Sequence, residues 1–105
     1  MRLRKESDDM LDEEILLVSE MSDALAHPVR IRIFRYIYKA NSQRQTVCNR
    51  DVVEAFDYSQ ATISQHIKKL VNAGLIEAKK SERQSNYYVN IGILSKYINA
   101  VKKFQ

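Results

Sequence analysis

The side chains best equipped for chemistry in this chain lie between Ser59 and Gly74, in the run SQATISQHIKKLVNAG. Ile63, Ile67, Leu70 and Val71 recur there at helical spacing and form one apolar stripe. Opposite the stripe lie Ala61, Thr62, Gln65, Lys68 and Lys69, flanked by Ser64 and His66. That face carries no acid. Amides and hydroxyls can read base edges in a major groove, and lysines hold phosphates. A catalytic reading has far less to draw on. Cys48 is the single cysteine and has no histidine at motif spacing, and there is no glycine-rich phosphate loop. The acids Asp8, Asp9, Asp12, Glu13 and Glu14 cluster where a helix is expected to start, and the helix dipole and solvation explain them. No enzyme activity and no cofactor are expected.

The elements that must hold this face can be read from the same chain. Ser59 is a suitable N-cap and Gly74 a suitable left-handed terminator, so both ends of the central helix are written in. Before it, Asn49 is expected to cap a short helix over 50–56, buried through Val52, Val53 and Phe56, with Asp57 and Tyr58 as the tight turn. Short helix, turn and capped polar-faced helix form a helix-turn-helix pattern. Pro28, after His27, suits the first turn of an earlier helix whose apolar side is Val29, Ile33, Phe34, Ile37 and Tyr38. Arg30, Arg32 and Arg35 fall elsewhere on it, as a solvated face. Residues 41–46 read as a polar connection. Beyond Gly74 the period changes to alternation in LIEAKK and NYYVNI, which predicts a hairpin with an exposed tip at Glu82 and Arg83, and with Tyr87 and Val89 facing inward.

The two ends of the chain complete this plan. Residues 1–7 read as a charged tail, and a helix is expected from Ser7 or Asp8 to residue 25. It carries two apolar stripes, Leu11, Ile15, Val18 and Leu25 beside Met10, Leu17, Met21 and Ala24. So wide a face exceeds what one small core can cover, which predicts a partner chain; the alternative is that the helix simply wraps its own domain. Asn90 can cap a last helix over 91–105, with Leu94, Tyr97, Ile98, Val101 and Phe104 on one face. The fold class predicted is mainly α with a small β-hairpin, in a single domain over residues 1–105.

Charge is divided along the chain. Residues 1–26 hold three basic and eight acidic residues, net −5, whereas 27–105 hold fourteen basic and five acidic, net +9. The basic portion suits a nucleic-acid partner. One cysteine excludes an intrachain disulfide and fits a reducing cytosol. The N-terminus lacks the apolar core of a signal peptide and no run is long enough to span a bilayer, so a cytoplasmic location is expected.

Three runs resemble the ArsR family of small bacterial repressors. They are ALAHPVRIRIFRYI over 24–37, DYSQATISQHIKKLVNAGLI over 57–76, and NYYVN over 86–90. The resemblance implies a winged helix-turn-helix homodimer that binds double-stranded DNA, usually as a repressor, with the first and last helices pairing across the two-fold axis. It also implies that Gln60, Ala61, Thr62, Ser64 and Gln65 contact bases, that Lys68 and Lys69 hold the DNA backbone, and that Arg83 at the wing tip reaches adjacent phosphates or the minor groove. The sensing chemistry of the family transfers poorly. Cys48 matches the first cysteine of a Cys-x-Cys metal pair, but Arg50 occupies the second position, and one thiolate cannot build a closed soft-metal site. Residues 91–105, where another class places ligands, contain no His, Asp, Glu or Cys. No metal site is therefore expected. Cys48 reads as a small buried residue, His27 as a cap-region residue, and His66 as a side chain bonded within its own helix. The rival reading is a winged helix that binds proteins and not DNA; an acidic recognition face would have favoured it.

Overall fold

The computed structural model describes residues 10–105. The expected tail over 1–7 and the expected helix start at Ser7 or Asp8 lie outside them. The first helix, α1 (Asp12–Ala24), leaves Met10 and Leu11 before its first turn. It starts there because Asp12, Glu13 and Glu14 fill that turn and Glu14 Oε1 accepts the Leu11 backbone N–H at 2.9 Å. Then come α2 (Pro28–Ser42), a two-residue strand β1 (Val47–Cys48), α3 (Asn49–Ala55), α4 (Gln60–Asn72), β2 (Ile76–Ser81), β3 (Gln84–Val89) and α5 (Ile91–Val101), closed by a 3-10 turn at Lys102–Phe104.

The sheet corrects the expected hairpin. It has three antiparallel strands in the order β1-β3-β2, with Val47 opposite Tyr87 and Ile76 opposite Val89. Two residues are too few to show alternation, so β1 carries no periodic signal and is recruited by the free edge of β3. Asn41 extends that edge: its Oδ1 accepts from Val89 N–H at 2.9 Å and its Nδ2 donates to Gln45 O at 3.2 Å. Forming β1 also moves the cap of α3. Cys48 takes the N-cap place and its backbone N–H donates to Asp51 Oδ2 at 2.9 Å, so Asn49 is the first helical residue instead of the cap.

The core lies between α2, α4 and the sheet. Ile33, Ile37, Val52, Ile63, Leu70 and Leu75 are fully buried, with Val47, Ile76, Tyr87 and Val89 closing the sheet side. Each such aliphatic side chain contributes about 1.5–3 kcal/mol by leaving water. Tyr38 departs from its expected place and is exposed, while Tyr36 meets Phe56 edge-on with ring centroids 5.7 Å apart. From α1, only Met21 and Ala24 are buried, with Leu17 packed against the core. α1 and α5 lie against each other, cross-linked by Ser22 Oγ and Tyr97 Oη at 3.1 Å and by Lys103 Nζ and Glu14 Oε1 at 2.9 Å. No helix among the described residues is long and apolar enough to cross a membrane.

Candidate nucleic-acid interface

Helix α4 has the ends its sequence predicts. Ser59 Oγ accepts the Thr62 backbone N–H at 3.1 Å, and Gly74, just past the helix, takes φ +89°, the left-handed conformation that favours glycine. Ile63, Ile67 and Leu70 seat the helix on the core. This leaves Gln60, Ala61, Ser64, Gln65, Lys68 and Lys69 exposed, while Thr62 is half-buried. Ala61, Ser64, Gln65 and Lys68 fall at positions one, four, five and eight of a helical face, so they share one side. The first turn holds no acid.

The expected site residues are not equivalent in this setting. Thr62 Oγ1 is engaged by Ser59 Oγ at 3.0 Å, which ties its hydroxyl to the cap. Ser64 Oγ lies 3.4 Å from Asn49 Nδ2, which also donates to Tyr87 Oη at 3.4 Å, so α3 and β3 brace the helix beneath its exposed face. Gln60, Gln65 and Lys68 are exposed and make no side-chain hydrogen bond or ion pair among the described residues. Lys69 instead turns toward α1 and pairs with Asp23 Oδ2 at 3.4 Å. Arg83 stands at the exposed tip of β2 and β3, beside Glu82 at φ +54°. A positive φ at the first residue of a two-residue hairpin loop is the place where glycine is usual. Lys79 and Lys80 on β2 add exposed positive charge to the same wing, and Lys79 Nζ sits 5.5 Å from the Tyr88 ring centroid. Both lysines lie in the run LIEAKK, expected as the first strand of the hairpin.

Outside this face Arg30 and His66 depart from their expected roles, while His27 takes its expected place at the cap of α2. Arg30, expected on a solvated face, donates through Nε to Ala24 O at 2.6 Å and through Nη2 to Asp23 O at 3.3 Å, capping the end of α1. His27 caps α2, its Nδ1 accepting from Val29 N–H at 3.1 Å. His66 packs against the His27 ring, with centroids 4.6 Å apart, in place of the expected bond within its own helix. Burial lowers the His66 pKa below the usual imidazole value, and His27 and Arg30 push it the same way. Cys48 is half-buried, and among the described residues no three His, Cys, Asp or Glu side chains gather to hold a metal.

The comparisons with known proteins agree with this geometry. A family model described as a helix-turn-helix domain matches residues 25–78, the segment from the end of α1 into β2. The arsenical resistance operon repressor of Staphylococcus xylosus is 38% identical over 53 residues, which are 50% of this chain and half the length of that relative. An ArsR-like transcriptional regulator from Rhodococcus sp. RHA1 superposes with a TM-score of 0.74 at 18% identity, over 88% of this chain and 82% of its own. The homodimeric winged helix-turn-helix DNA-binding domain of Mb0332 from Mycobacterium bovis superposes at 0.64 and 17% identity, over 99% of this chain and 88% of its own. At these identities the two structures establish the winged fold.

Proposed function

The chain belongs to the ArsR family of winged helix-turn-helix DNA-binding transcriptional regulators, a family of regulators and not of enzymes, and on that premise we propose that it is a cytoplasmic homodimeric repressor of a pseudo-palindromic operator. The observation that carries the reading is the exposed, acid-free outer face of α4 above a rigidly buried stripe. Gln60, Ala61, Thr62, Ser64 and Gln65 meet base edges, Thr62 least freely because of its cap bond. Lys68 and Arg83 hold phosphates. Lys69 shares that task only to the extent that it leaves Asp23.

The dimer reading is supported by α1 and α5. Ile15, Ile91 and Ile98 on these helices, and Leu11 and Phe104 at their ends, are exposed, and a monomer gains nothing from that arrangement. Two copies joined there would carry two recognition helices, and half-sites about 10 bp apart would let them enter successive major grooves. Binding over a promoter would then exclude polymerase.

Selection of bound sequences from random duplex DNA by the purified protein tests the whole reading. A two-fold symmetric enriched motif, with affinity falling steeply as salt rises, is the expected result. A folded dimer that enriches nothing and shows a flat salt response would instead be a protein-binding module.

A further inference from the structure

The end of α1, the start of α2 and the middle of α4 meet at one junction. There the cap of α2 depends on an unprotonated His27 Nδ1, because that atom must accept the Val29 N–H. The His66 ring from α4 lies against His27, tilted by 50°. Arg30 from α2 is the charged neighbour that acts on the pair, and Lys69 from α4 with Asp23 and Glu20 from α1 line the cleft at the same helix ends. Arg30 is held on the backbone oxygens of Asp23 and Ala24, and Asp23 is already engaged by Lys69. Among the described residues no carboxylate is bonded to either imidazole, and the charged neighbours that act on His66, His27 and Arg30, both disfavour an added proton.

We infer that His27 and His66 are positioning residues for DNA recognition: the contact between their uncharged, tilted rings holds the middle of α4 on the start of α2, and protonation releases it. This rests on the DNA-binding reading of α4. A proton on His27 Nδ1 removes the cap acceptor and places positive charge at the positive end of the α2 dipole. A proton on His66 sets a cation against that ring and near Arg30. The lowered His66 pKa has the same sense. These are the two histidines of the whole chain.

The direction of the effect separates this device from generic electrostatics. Added positive charge on a DNA-binding surface raises affinity as pH falls. Here the junction, folded with neutral rings, loses affinity as pH falls below the ordinary imidazole range.

The test compares the wild type with His27→Asn/His66→Gln, in which asparagine keeps a cap acceptor and neither side chain titrates. The probe is the duplex enriched by selection or, without enrichment, a mixed-sequence duplex. A fall of roughly fivefold in wild-type affinity between about pH 7.5 and 5.5, within the tenfold per pH unit that one linked proton allows, is the expected result, with a flat profile in the variant. A wild-type affinity that rises on acidification, or a variant that tracks the wild type, overturns the inference. Thermal unfolding of the DNA-free proteins gives a second readout. The wild type should lose more stability than the variant over the same interval, and equal losses would overturn the junction even if neither protein binds DNA, a result that by itself would count against the DNA-binding reading.

Discussion

Helices α4 and α5 are built alike and end differently. Both are amphipathic, and both start from a side-chain cap, Ser59 on Thr62 N–H and Asn90 on Ile93 N–H. Yet α4 buries Ile63, Ile67 and Leu70 almost completely, whereas α5 buries only Ala100 and leaves Ile91 55% and Ile98 45% exposed. The more apolar helix is thus the less buried one: Ile93, Leu94 and Tyr97 pack half-buried against the core, while Ile91 and Ile98 stay exposed. A stripe is spent on the core where the chain folds over it from both sides, as α2, α3 and β2 do around α4. α5 meets α1 along one side, and α1 itself exposes Ile15 and Leu16 at 53% and 58%. One helix serves the fold of a protomer, and the other carries the exposed apolar surface on which the proposed dimer rests.

Substitutions in the two stripes test that contrast most strongly. Ile63→Ala should cost about 2–5 kcal/mol of unfolding free energy, because it opens a cavity where the side chain is wholly enclosed. Urea unfolding measures it, and a loss under about 1 kcal/mol would mean that the α4 stripe is not the core it resembles. Ile98→Glu should leave protomer stability within about 0.5 kcal/mol, as surface changes do, while shifting sedimentation from dimer to monomer. A variant that stays dimeric, or a wild type that is monomeric at high concentration, would erase the distinction between the two helices.

Smaller effects divide the exposed face of α4. Gln65→Ala should lower discrimination at one base position by about 1–3 kcal/mol, read from competition between related duplexes. Lys68→Ala should weaken all sequences alike and reduce the salt slope by about one. Lys69→Ala should reduce it less, since Asp23 already neutralises part of that charge. Equal slopes for the two lysine variants would show that the Asp23 pair does not persist on DNA.

The smallest effect concerns the clasp between α1 and the C-terminal turn. Leu11 N–H and then Lys103 hold the Glu14 carboxyl below its ordinary pKa. A carboxylate with a depressed folded-state pKa stabilises the fold above its unfolded value near 4.5 and loses that contribution as pH falls through the lower folded value. Acid unfolding of Glu14→Gln should therefore be less steep in that window than that of the wild type. Superimposable acid curves would show that the clasp adds nothing measurable.

Much of the recognition helix was legible because its signals are local. Ser59, Gly74 and the stripe between them act within one or two turns, and Asn90 and Pro28 mark their helices in the same way. Local signals failed where a neighbour distant in sequence decided the outcome. β1 exists because β3 offers it an edge, and its formation moves the α3 cap from Asn49 to Cys48. Of the expected site residues, the sequence placed Gln60, Gln65 and Lys68 on an open face, but it could not distinguish Lys69, whose partner lies on α1.

The residue order by itself determined where α4 begins and ends, which of its faces is apolar and that its other face has no acid, because capping and periodicity are short-range properties of a chain. Tertiary structure alone decided that Arg30 caps the end of α1, that Asn41 secures β3, and that His66 rests on His27. Those contacts join residues that only packing brings within hydrogen-bonding or van der Waals reach, and neither spacing nor composition records such a distance.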